Sequence, residues 1–291
     1  VAGFTIEGGE EQLNGIYFNE KYSENKDVNI TIRNNRILKF GSQGSSGDQT
    51  IRYDEYGRGI YFANGDVRDC NTHHVYGIII QGNYVQYAEG GIVLKHDSYA
   101  EVSDNKVEDC YVGILVEWFG NGDVEALGLG LVDDHLIHNN TIITGDDYGW
   151  NQSTGVNGPS PKTPEEARMA IRLNCIWTDE IVIVASNNTL TARNLNNVHA
   201  GFVINSLHGS GVKLIDNTIN DYREGIRIMG TSHPRDFDSH NPHENSAALI
   251  IGGEINGGEY GIHMTQWYYR PGYDEEEDPN VGGKGSNKSG N

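Results

Sequence analysis

Along most of this chain a glycine, or once an alanine, is followed by an apolar residue, a variable one and a second apolar one. The eight segments are Gly15-Ile-Tyr-Phe18, Gly59-Ile-Tyr-Phe62, Gly91-Ile-Val-Leu94, Gly113-Ile-Leu-Val116, Ala170-Ile-Arg-Leu173, Gly201-Phe-Val-Ile204, Gly225-Ile-Arg-Ile228 and Gly261-Ile-His-Met264. A period of two puts both apolar positions on one buried face. Between these segments runs a second pattern, an Asn or Gly two residues before an apolar one: Asn35/Ile37, Asn83/Val85, Asn105/Val107, Asn140/Ile142, Asn188/Leu190, Asn217/Ile219 and Gly253/Ile255. Three and five residues before that Asn the chain is again apolar, except at His135. Two strand-forming segments that alternate along a chain predict a solenoid of parallel strands, an all-β right-handed parallel β-helix of about eight coils.

Stacked parallel strands place copies of one position about 4.8 Å apart, so the Asn column predicts an internal amide ladder. The glycine before each strand is read as a corner of unusual φ. Repetition runs from Val1 to Tyr269 and predicts one elongated domain, followed over 270–291 by an acidic and then Gly/Ser/Asn-rich tail.

The Asn-x-[Ile/Val/Leu] and Gly-Ile signals together resemble the right-handed parallel β-helix superfamily of pectate-lyase-like proteins, over nearly the whole chain. That resemblance implies the fold. Its members include polysaccharide lyases, glycoside hydrolases, uronan epimerases, pectin esterases, phage tailspikes and passive surface proteins, so the fold narrows function without deciding it. No motif of one enzyme family stands out. An Asp-Pro-His signature is absent, and Arg270-Pro271 lies outside the strand columns.

Charge and composition limit the partners. A net charge of −20 opposes nucleic-acid binding, which needs a basic surface, and no apolar run is long enough to span a membrane. The Gly- and Tyr-rich, Lys-poor composition suits a secreted or cell-surface protein, and a start inside a coil without Met suggests that an upstream segment was removed. Cys70, Cys110 and Cys175 fall in different columns and read as small buried thiols. Side-by-side homo-oligomers are compatible with such a rod.

Glycine-to-glycine distances of 44, 32, 22, 57, 31, 24 and 36 residues place long insertions at both ends of the glycine strands, which would wall their outer face into a cleft. Two residues after the glycine that face reads Tyr17, Tyr61, Val93, Leu115, Arg172, Val203, Arg227 and His263. Four residues after it come Asn19, Ala63, Lys95, Glu117, Asn174, Asn205, Met229 and Thr265. Lys95, His96, Asp97, Glu117 and Arg172 are the candidate catalytic residues. Trp118, Asn174, Trp177, Asn205, His208, Arg227, His263, Trp267 and Tyr268 are candidate glycan-binding residues, the aromatic rings suiting sugar faces.

Two reactions fit this set. In β-elimination, Lys95, His96 or His208 would remove a proton next to a carboxylate while Arg172, with Ca²⁺ held by Glu117 and Asp97, stabilises the developing charge. In glycoside hydrolysis, Asp97 and Glu117 would be the carboxyl pair. Asp133 and Asp134 are further candidate calcium ligands. The expected function is polysaccharide cleavage. The alternative is a non-catalytic structural, adhesive or glycan-binding module.

Overall fold

A computed structural model describes residues 1–8, 14–19, 26–40, 57–63, 75–95, 98–118, 135–145, 168–175, 183–193, 198–206, 212–230 and 248–266. These residues build three parallel sheets wrapped around one core, a right-handed parallel β-helix. The glycine sheet holds Asn14–Asn19, Arg58–Ala63, Gly90–Lys95, Val112–Trp118, Arg168–Cys175, Val198–Ser206, Glu224–Gly230 and Tyr260–Gln266 in stacking order. The ladder sheet holds Thr5–Glu7, Arg36–Phe40, Tyr84–Ala88, Lys106–Glu108, Thr141–Thr144, Thr189–Ala192, Thr218–Asn220 and Glu254–Asn256. The third sheet runs Lys26–Arg33, Val75–Gln81, Ser98–Ser103, His135–His138, Ile183–Ser186, Val212–Ile215 and Ala248–Ile251.

The second repeated pattern is therefore two strands rather than one. They meet at a sharp corner whose residue has positive φ: Asn34, Gly82, Asp104, Asn139, Asn187, Asp216 and Gly252. Asn, Asp and Gly are the residue types that tolerate this left-handed region, so the corner is written in the column just before the ladder. The glycines that open the glycine-sheet strands have no such φ. A Cβ on Gly59 would instead lie 2.6 Å from the carbonyl oxygen of Gly91 and 2.4 Å from Val85 Cγ1. That glycine column is a matter of close approach, not of backbone conformation.

The ladder forms as expected. Nδ2 of Asn35, Asn83, Asn105, Asn140 and Asn188 each donates to Oδ1 of the next asparagine at 2.9–3.0 Å, and so does each backbone N–H. The second amide hydrogen goes to a carbonyl of the preceding coil, as from Asn140 Nδ2 to Val102 O at 2.9 Å. Beside this polar spine one apolar core runs through the coils, with Ile37, Ile60, Ile80, Ile92, Ile114, Ile171 and Phe202 fully buried.

Longer stitches tie coils that are not neighbours. Arg193 reaches back over the strand Thr141–Thr144 to Asp109 at 3.1 Å and Glu108 at 3.4 Å. Burial acts to raise the Glu108 carboxyl, but hydrogen bonds from Lys106 and Tyr84 outweigh it and hold the group below the usual range. Cys110 is a free, buried thiol, and burial pushes it up to about 12, so it is inert. Cys70 and the 270–291 tail lie outside the described residues.

Candidate functional site

The register of the glycine sheet joins the rows read from the sequence. Lys95, Glu117, Asn174 and Asn205 are successive strand partners, and Arg172 pairs with Leu115, diagonal to Glu117. The side chains of Glu117, Trp118, Asn174 and Asn205 are outside what is described. So are His96, Asp97, Asp133, Asp134, Trp177, His208, Trp267 and Tyr268 altogether. Among the described residues no group of three or more His, Cys, Asp or Glu gathers to hold a metal ion.

The middle of this outer face is closed. Val112, Met169, Ala200 and Val203 are buried there as a small second core with Tyr111 and Leu115 packed against them. Val93, expected outward, is 1 % exposed. Arg172 stands half-buried beside this cluster, and among the described side chains further polar groups gather at the two ends of the row.

At one end stand Tyr17, Tyr61, Arg58, Glu89 and Lys95. Tyr17 and Tyr61 stack at 5.2 Å with Tyr17 half exposed, and the Arg58 guanidinium lies 4.0 Å from the Tyr61 ring centre. Glu89 enters from the corner before Gly90, and its Oε2 is buried without a hydrogen-bond partner. Burial pushes its carboxyl up to about 8, although Arg58 and Lys95 pull it down. A carboxyl in this state keeps its proton at neutral pH and can act as a general acid.

That proton predicts how stability varies with pH. The unfolded chain releases it near 4.5 and the folded protein only near 8, so the folded state binds more protons in between. Burying the ionised carboxyl carries a penalty that is absent below pH 4.5, grows as pH rises through the window and is complete above about 8. Melting temperature is expected to drop across this range and then level off, with Glu89→Gln flattening the slope. Equal slopes for the two proteins would contradict a buried, protonated Glu89.

At the other end Glu224 is almost fully buried between Arg227 Nε at 3.1 Å and His263 Nδ1 at 3.1 Å. Arg227 points outward as expected but is itself 5 % exposed, so it serves this ion pair. His263 stacks on Tyr260 at 5.0 Å and is one-third exposed, while its Nδ1 is buried against the carboxylate. The distances are those of an ion pair, but Glu224 Oε2 and His263 Nδ1 make no aligned hydrogen bond.

Glu89 and Glu224 were not among the residues singled out from the sequence. By strict alternation Glu224 would face inward with Ile226. The glycine between them is skipped in the pairing, Ala200 matching Glu224 and Phe202 matching Ile226, and this turns the preceding residue outward. A glutamate directly before or two before the repeat glycine is the signal that was there to read.

No protein-family model matches this chain, nor does any curated protein or solved structure. The parallel β-helix is established by the fold alone, and it is compatible with many activities.

Proposed function

We propose that this protein binds a polysaccharide at the outer face of the glycine sheet and hydrolyses it, with Glu89 as the proton donor, outside the cell that makes it. The observation that carries the reading is Glu89 Oε2, buried without a hydrogen-bond partner, with burial pushing the carboxyl up to about 8 although Arg58 and Lys95 pull it down. Hydrolysis of a glycosidic bond needs one protonated and one ionised carboxyl. Glu89 would give its proton to the leaving oxygen as the bond to the anomeric carbon breaks, while an ionised carboxylate reaching the same sugar would assist and water supply the new hydroxyl. The half-exposed Tyr17, stacked on Tyr61, offers a sugar a flat aromatic face.

A second reading, a glycan-binding module without turnover, is favoured by the buried apolar cluster at the middle of this face. The test is to incubate the protein with neutral and acidic polysaccharides while following reducing ends and the ultraviolet absorbance of unsaturated products together. New reducing ends without unsaturation, lowered roughly 10²–10⁴-fold in Glu89→Gln, are the expected result. Unsaturated product would transfer the chemistry to elimination with Lys95 as base. Binding without turnover would establish the module, and no binding to any glycan would end the carbohydrate reading.

A further inference from the structure

The outer face of the third sheet carries a row whose order is self-complementary. Register makes Thr31, Ile79, Glu101, Leu136, Val184, Lys213 and Leu249 successive partners, one per coil. This face looks away from the core, since Ile78, Ile80, Ile137 and Ala185 on the same strands are buried. Yet Ile79, Leu136 and Leu249 are 37 %, 39 % and 53 % exposed, and Val184 is half-buried. The apolar members are interrupted by one acid and one base.

Their placement is specific. Counting outward from the point midway between Leu136 and Val184, the row reads Leu136, Glu101, Ile79 in one direction and Val184, Lys213, Leu249 in the other. A two-fold rotation about an axis parallel to the strands, lying in the plane of this face, reverses coil order and keeps position along the strand. It therefore lays Leu136 on a second copy's Val184, Ile79 on its Leu249, and Glu101 on its Lys213, each contact made twice. In the next row Ser103 is buried, and the same rotation sets His138 on Ser186 and Gln81 on Ile251, while at the edge of the face the corner residues Asp104 and Asp216 come opposite each other.

We propose that the third-sheet face is a homodimer interface of two antiparallel rods, related by this two-fold axis. Charge complementarity selects the occupant. In a chain of net charge −20 an unrelated acidic surface would meet Glu101 as well as Lys213, whereas a second copy in this one orientation matches both. Glu101 is already held by His138 Nε2 at 3.1 Å, which fixes the carboxylate on this face. Lys213, between Val184 and Leu249, makes no ion pair among the described residues. Six strands at about 4.8 Å by four residues at about 3.3 Å give a small face, so the dimer is expected to be reversible.

The test is sedimentation of the full 291-residue chain over a wide concentration range at low salt. A reversible monomer–dimer equilibrium is expected. Lys213→Glu sets two like-charged pairs face to face and should weaken dimerisation at least tenfold, while Glu101→Lys combined with Lys213→Glu should return it to within about threefold. Far-ultraviolet circular dichroism establishes that each variant is folded. If Lys213→Glu fails to fold, Leu136→Asp, at an exposed apolar position, must break the dimer in its place. A monomer at every concentration, a trimer, or a dimer indifferent to these changes would overturn the proposal.

Discussion

Replacing Asn140 by alanine, at the middle of the ladder, is expected to destabilise the protein by about 3–5 kcal/mol. Its Oδ1 accepts from both the N–H and the Nδ2 of Asn105, and its Nδ2 donates to Val102 O and Asn188 Oδ1. Truncation removes the oxygen that two buried donors of Asn105 share. The cost should fall toward the end of the spine. Among the described residues Asn35 Oδ1 accepts only from the Phe4 N–H, and at the far end Gly253 stands where the next amide would be. Urea unfolding of Asn140→Ala and Asn35→Ala, read by circular dichroism, checks this. Equal losses at the two sites would mean that the ladder acts residue by residue and not as a connected network.

This ladder was legible in the sequence because one amide both donates and accepts, and because its spacing to the following Ile, Val or Leu never varies. The core rows of the glycine sheet were legible for the same reason, each being forced by a period of two. The corner before the ladder was not, since Asn34, Asp104 and Asp216 look like ordinary polar residues until their positive φ is seen. Pattern alone reads through such a corner and joins two strands into one.

The candidate site was legible as a set of rows but not as chemistry. Lys95, Glu117, Asn174 and Asn205 are partners as expected, because strand register follows directly from aligned repeats. Burial does not follow from register. Val203 and Arg227 hold outward positions and are nevertheless covered, so alternation says which way a side chain leaves the strand and not what it then meets. Glu89 and Glu224 escaped notice for a different reason. Glu224 sits at the glycine corner, where the pairing skips the glycine and so breaks the period of two, and Glu89 sits just before its strand begins, where no period applies.

That same corner supports the second large expectation. A Cβ added to Gly113 would stand 2.6 Å from Ala170 O and 2.7 Å from Ile142 Cγ2, contacts that force the coils apart. Gly113→Ala is therefore expected to cost about 2–3 kcal/mol through overpacking. The chain itself shows how such a methyl can be housed. Ala170 is the one non-glycine in the column, and the ladder-sheet residue at its level is Leu190, where the other coils have the β-branched Ile37, Val85, Val107, Ile142, Ile219 and Ile255. Leucine carries no methyl on its Cβ, which opens the space a β-branched residue fills. The neighbouring strand also holds an extra residue here, Arg168 matching Val198 while Met169 matches Ala200, so the backbone has room to shift. Ile142→Leu, costing under about 1.5 kcal/mol alone, should thus recover roughly 1 kcal/mol when combined with Gly113→Ala, and no more, because the contact with Ala170 O persists without the bulge. A double-mutant cycle in urea measures that coupling. Strict additivity would mean that Ala170 is tolerated by the bulge alone, and a harmless Gly113→Ala would show that the glycine column is not set by close approach.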